Sequence, residues 1–331
     1  MNKPENPQSV SPISGKTIAE SLSYYLHFIV LFLFCYFLAT LSFLYSYLSS
    51  IGIPPKLNYL YIPVLGYFFS SGLFLLCKRA FYDVVEKNLR EETFKPGESK
   101  QERVFRLCND INSMIYYTIS FSLGVYATYG TEYLPRIFFG KLDLSDFHLR
   151  YPMENPSYLI FFYFLMNLGH NFERLFELWT HRKSNGTFWL MNFHHVITIV
   201  LMTISFYGGN LLYGVSTLLI HDFIEPFFNI SKLCREIKPL QQVLTPTLIL
   251  FILTWLLTRA FAFSFEIMRY LHLLNLVRED YFWNTFVIVV LEDFCMCTLW
   301  VMNQFWTVQI LKIVYKKLRF NSEETPSDKK N

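Results

Sequence analysis

Charge is what this chain has least of. Asp, Glu, Lys and Arg make up 17% of its 331 residues, against about 25% in soluble domains. That scarcity argues against a water-soluble globular protein. The formal net charge of +3 is too small to suggest a nucleic-acid partner. Cysteine is sparse and scattered, at Cys35, Cys77, Cys108, Cys234, Cys295 and Cys297, with no CxxC pair. This spacing argues against a structural disulfide or zinc site. No repeat of solenoid length is visible. The N-terminus also lacks the early apolar core of a signal peptide. "MNKPENPQSVSPISGK" is polar and rich in Pro and Ser, and residues 1–20 read as a tail.

Hydrophobic residues make up 53% of the chain and aromatics 19%. They gather in eight apolar segments, at about 21–48, 57–77, 112–131, 157–179, 188–207, 209–230, 245–271 and 283–314. Runs near 20 residues are long enough to cross a bilayer, where unpaired backbone groups find no water and must be helical. The sequence therefore predicts an all-α polytopic membrane protein of about eight transmembrane helices.

Basic residues orient the spans. The 78–106 connection carries Lys78, Arg79, Lys87, Arg90, Lys95, Lys100, Arg103 and Arg106. The 180–187 turn adds Arg182 and Lys183, the 231–243 connection adds Lys232, Arg235 and Lys238, and the C-terminal end is again basic. With eight spans these fall on one side with both termini, which predicts cytosolic termini. The sequons at Asn185 and Asn229 fall on that same side and are expected to stay unmodified.

An ionisable group inside a span costs about 2.5–3.5 kcal/mol on insertion scales and calls for a reason. Span four carries His170, Glu173, Arg174 and Glu177, and spans seven and eight carry Arg259, Glu266, Glu292 and Asp293. Glu173 and Glu177 are best read as partners of Arg174 or of nearby basic residues. Spans five and six are different. "MNFHHVIT" puts His194 and His195 together, and "HDFIEPFFNISK" puts His221, Asp222, Glu225 and Lys232 on about one helix face. Pro226 leaves the carbonyl of Asp222 without its helical donor. The short turn around "YGGN" makes the two spans antiparallel neighbours. His195 and Asp222 then lie at similar depth, about 20 Å from the turn, so imidazole and carboxylate can meet across one helix pair.

Three chemistries fit. The first is acyl transfer, with imidazole as general base or nucleophile and a carboxylate to orient it. The second is a metal site on His194, His195, His221 and Asp222. It is weakened by a total of only eight histidines and by Met191, which stands where an HxxHH box needs His. The third is a non-catalytic lipid-binding or translocon-associated protein, which would not need the histidines.

The stretch 188–232 resembles the signature of ceramide synthases, the longevity-assurance type of TLC-domain protein. The resemblance rests on Phe188, Met191, His194, His195, Thr198, Ser205, Gly214, His221, Asp222, Glu225 and Lys232, in register without a gap. "LTRAF" around Arg259 and "MNQFWTVQILK" near the end are similar to later family segments. The chain departs from the family at Asn185-Gly186-Thr187, at Glu225 in place of Asp, and at Asn303 in place of His. The resemblance implies a six-helix core over 107–316, preceded by two N-terminal transmembrane helices (21–77) and the basic loop 78–106, and followed by a charged cytosolic tail (317–331).

It also implies an endoplasmic-reticulum enzyme that moves a fatty acyl group from acyl-CoA to the amine of a long-chain sphingoid base. His194, His195, His221, Asp222 and Glu225 would be catalytic. Arg182, Lys183, Ser205, Lys232 and Arg259 would bind substrate. Acyl-CoA would be a co-substrate, with no tightly bound cofactor and no metal. Membrane lipid and a homo- or hetero-oligomeric partner complete the implied surroundings.

Overall fold

A computed structural model describes residues 59–90, 99–140, 156–181, 186–208, 210–265 and 282–323. The predicted first span (21–48) lies outside them. Seven long helices order the described residues: α1 (Tyr61–Lys87), α2 (Lys100–Thr128), α3 (Tyr158–His181), α4 (Gly186–Gly208), α5 (Leu211–Glu236), α6 (Leu244–Trp255) and α7 (Phe282–Glu323). α6 continues through a π-helical stretch, Leu256–Ala262. Among the described residues there is no strand, only an isolated bridge between Leu89 and Ile237.

Four stretches are long and apolar enough to cross a membrane: Tyr61–Lys87, Phe188–Gly208, Leu211–Glu236 and Lys238–Phe265. With the relatives reported below, they mark a multi-pass membrane protein.

The basic stretch 78–106 is not irregular throughout. Residues 78–87 continue α1 and 100–106 open α2. The start of α2 is fixed by a capping box. The Ser99 hydroxyl accepts from the Glu102 N–H (3.2 Å), and the Glu102 carboxylate accepts from the Ser99 N–H (3.1 Å). Hydropathy marks only the apolar part of a helix, so these charged ends escaped the span count.

The helices meet as small residues and aromatics allow. α1 packs on α3 at Gly66 and Gly169, where an added Cβ would collide with the carbonyls of Met166 and Pro63. Such backbone approach is the membrane-helix use of glycine. Ser70 of α1 bridges the same contact, accepting from His170 Nδ1 (2.7 Å) and donating to Glu173 (3.0 Å). One apolar cluster around Tyr163, Phe164, Phe206 and Leu219 joins α3, α4 and α5. Another, around Ile197, Leu201, Phe263 and Leu299, ties α4 to the last two helices. Between these clusters lies a buried space with polar walls.

Candidate active site

That space is a cavity of about 150 Å3, walled by α2, α3, α4, α5, α6 and α7. Along α5 it reaches from Gly214 to Lys232, about 27 Å at the helical rise. His194, His195, His221, Asp222, Glu225, Lys232 and Arg259 all line it.

The imidazoles are held differently. His221 Nδ1 lies 2.8 Å from the Thr217 carbonyl. A carbonyl only accepts, so Nδ1 carries the proton and Nε2 is the acceptor of the neutral ring. Asn303 Nδ2 stands 3.5 Å from that Nε2. His195 Nδ1 faces the Asn171 carboxamide oxygen at 3.4 Å. The amide nitrogen of Asn171 is engaged with the Asn167 carbonyl (2.9 Å), so its oxygen is left to accept. His195 thus also keeps Nε2 as its basic nitrogen. His194 packs edge-on against Trp306, with ring centroids 5.4 Å apart, and its buried Nδ1 has no hydrogen-bond partner.

The carboxylates are held by other groups. Asp222 accepts from Ser120 Oγ (2.6 Å) and Tyr163 OH (3.0 Å). Asn167 supports this clasp by donating to Ser120 Oγ at 2.8 Å. Glu225 pairs with Arg259 at 2.8 Å. Arg259 also donates to Asn303 Oδ1 (3.3 Å) and to the His221 carbonyl (3.5 Å). Asn303, at the family's His position, therefore bridges the arginine and an imidazole.

Ser205 is not among the cavity-lining residues. It faces Gly214 where α4 crosses α5. Arg182 and Lys183 lie outside the described residues. Lys232 is tied to Asp110 (2.8 Å) and Asn229 (2.8 Å) and lies over the Phe228 ring. Asn229, one of the two sequon asparagines, is buried, and its amide also donates to the Glu225 carbonyl. In span four, Arg174 pairs with Glu177 (3.1 Å) and with Asn109 (2.6 Å), while Glu173 turns to Ser70.

Reading the sequence for ionisable groups missed Ser120, Tyr163, Asn167 and Asn171, which hold the titratable ones. A signal was present in α3, where Tyr163, Asn167, Asn171 and Arg174 form a polar stripe at i,i+4 and i,i+3 spacing. The arrangement offers basic imidazole nitrogens and clasped carboxylates around one cavity between the helices. That suits proton transfer or nucleophilic attack on a carbonyl.

The TLC domain family model matches residues 106–312. Ceramide synthase hyl-1 of Caenorhabditis elegans is 26% identical over 208 residues, covering 61% of this chain and 54% of that protein. The chain thus spans about half the length of that relative. Ceramide synthase hyl-2 of the same organism is 22% identical over 238 residues, 69% of each chain. ASC1-like protein 3 of Oryza sativa subsp. japonica is 26% identical over 263 residues, 76% of this chain and 88% of its own. The chain belongs to the TLC domain family and, within it, to the ceramide synthases.

Proposed function

We propose that this chain transfers a fatty acyl group from acyl-CoA to the amine of a long-chain sphingoid base, giving a ceramide and free coenzyme A. The observation that carries this reading is the convergence of three histidines on one buried cavity that extends to Lys232. Both substrates are long alkyl chains with polar heads, and a cavity between membrane helices suits them.

In this reading His194 attacks the thioester carbonyl through a ring nitrogen. The carbon–sulfur bond breaks, and the departing thiolate takes up the proton that the acylated imidazole releases. The sphingoid amine then attacks the acyl-imidazole. The new carbon–nitrogen bond forms as the bond to His194 breaks, and His195 Nε2 takes the amine proton and passes it to the departing His194 nitrogen, so that both rings return to the neutral state. Asp222 and Glu225, held by Ser120, Tyr163 and Arg259, fix the electrostatics around the rings. His221, with its proton on Nδ1, offers a further basic nitrogen. Exclusion of water favours aminolysis over hydrolysis.

The fold that goes with this function has eight spans, six of them forming a core over 107–316. It lies in the endoplasmic-reticulum membrane with both termini cytosolic. Lys232, Arg182 and Lys183 would then face the coenzyme A phosphates as they arrive from the cytosol.

The test is an assay in membranes with acyl-CoA and a sphingoid base, comparing wild type with His194→Ala and His195→Ala. The reading expects N-acyl product from wild type and loss of about a hundredfold or more in each variant. Wild-type activity that survives both substitutions would rule out the histidine mechanism.

A further inference from the structure

A second, much smaller cavity of about 10 Å3 lies beyond the first, on the side of the α4–α5 turn. That is room for about one water. Its walls include Ser205, Asn210, Tyr213 and Glu292. Asn210 donates to Glu292 at 2.7 Å, and Ser205, Asn210 and Glu292 are all buried. Leu201 and Gly214 line both spaces. Leu201 is itself buried, in the apolar cluster with Ile197, Phe263 and Leu299. Gly214 is pressed between Phe164 and Ser205, with no room for a side chain.

Together Leu201 and Gly214 form a septum. On one side is the cavity that holds the histidines; on the other is a chamber of about one-water size with the buried Asn210–Glu292 pair in its wall. Gly214 lies seven residues before His221 on α5, so the septum is about 10 Å along the helix from the imidazoles. Lys232 lies at the opposite end of the same cavity. A ligand whose polar head sits by Lys232 and whose reacting carbonyl meets a histidine must send its alkyl chain toward Leu201. A chain long enough to pass the septum would meet the Asn210–Glu292 pair. It would have to disrupt a buried hydrogen bond without replacing it, which is costly. The stop is therefore steric, with a buried hydrogen-bonded pair behind it.

We propose that Leu201 is the specificity-determining residue that caps the length of the acyl chain this site accepts. The inference rests on the acyl-transfer reading above for the orientation of the chain. Leu201→Ala opens the septum toward the small chamber, and Leu201→Phe raises the floor. Neither change touches a residue placed in the reaction. A hydrophobic pocket discriminates by about tenfold or more per methylene.

The experiment has two readouts on the full chain in membranes or detergent. One is kcat/KM across acyl-CoAs of graded length. The other is competitive binding of a matching series of non-cleavable alkyl thioethers of coenzyme A. Leu201→Phe is expected to shift both profiles toward shorter chains and Leu201→Ala toward longer ones, by about tenfold in the long-to-short ratio. Profiles that stay in place in both variants would overturn the proposal. A wild type that binds the thioethers with a Leu201-dependent profile but makes no N-acyl product would retain the cap and reject the acyl-transfer reading.

Discussion

Glu225 and Arg259 form an ion pair of 2.8 Å across the contact between α5 and the π-helical end of α6, with the arginine side chain almost wholly buried. The same guanidinium reaches Asn303 and the His221 carbonyl, so one cation organises three helices beside the histidines. Removing one partner of a buried pair leaves the other charge uncompensated. Glu225→Ala should therefore lower stability by about 3 kcal/mol and reduce turnover. Thermal unfolding in detergent, followed through tryptophan fluorescence, measures the first effect. Glu225→Asp should be intermediate, because it shortens the arm by one methylene.

His194 combines a cost and a use. A buried ring nitrogen without a partner costs about 1–3 kcal/mol, and such groups persist where function needs them. His194→Phe keeps a ring against Trp306 while removing the unsatisfied atom. The expected outcome is a melting temperature equal to or above wild type, with acyl transfer reduced about a hundredfold or more. A purely structural histidine would give the reverse, with lower stability and intact turnover.

The clasp on Asp222 can be opened one donor at a time. Ser120→Ala and Tyr163→Phe each remove a single hydrogen bond to its Oδ2, at about 1 kcal/mol of stability each. Activity should fall about tenfold singly. In the double variant the combined loss should exceed the product of the two, because the carboxylate then has no fixed direction. A double-mutant cycle on kcat checks this coupling.

Glu236, at the end of α5, accepts from Arg103 (3.0 Å), Arg106 (2.9 Å) and Arg235 (2.9 Å). Arg103 is fully buried. Glu236→Ala should be destabilising by about 3–5 kcal/mol, far more than a rim charge would be. Removing Lys100, whose bridge to Glu86 is exposed, should change stability by less than about 1 kcal/mol. Comparing the two unfolding midpoints tests the contrast.

Much of this arrangement was legible in the sequence. The segments near 157–179, 188–207 and 209–230 became α3, α4 and α5, because hydropathy and the glycine turn both mark their limits. The histidines and carboxylates that share the cavity stood out because charge inside lipid is rare. The rest was hidden for physical reasons. The pairing of His195 with Asp222 followed from equal depth along two helices, but depth says nothing of rotation. In the fold, helices α2 and α3 bring Ser120 and Tyr163 to the carboxylate instead. These partners are neutral hydroxyls, inexpensive to bury and unremarkable in an apolar run. Ser205 was in register with its neighbours and shares the helix face of Thr198, but seven residues further along it lies beyond Leu201, against Gly214 and the smaller cavity. The π-helical stretch that carries Arg259 has no composition of its own and could not be read.

The approach of α1 to α3 bears on where this domain begins. The match to the TLC domain family model starts at residue 106, downstream of all of α1. Yet Gly169 and His170 of α3 are built to receive that helix, the first with bare backbone and the second through Ser70. A chain trimmed to the residues the family model matches would turn a polar groove toward hydrocarbon, where no water can replace the missing partner. The domain that the family model outlines is therefore packed against a helix that lies outside it.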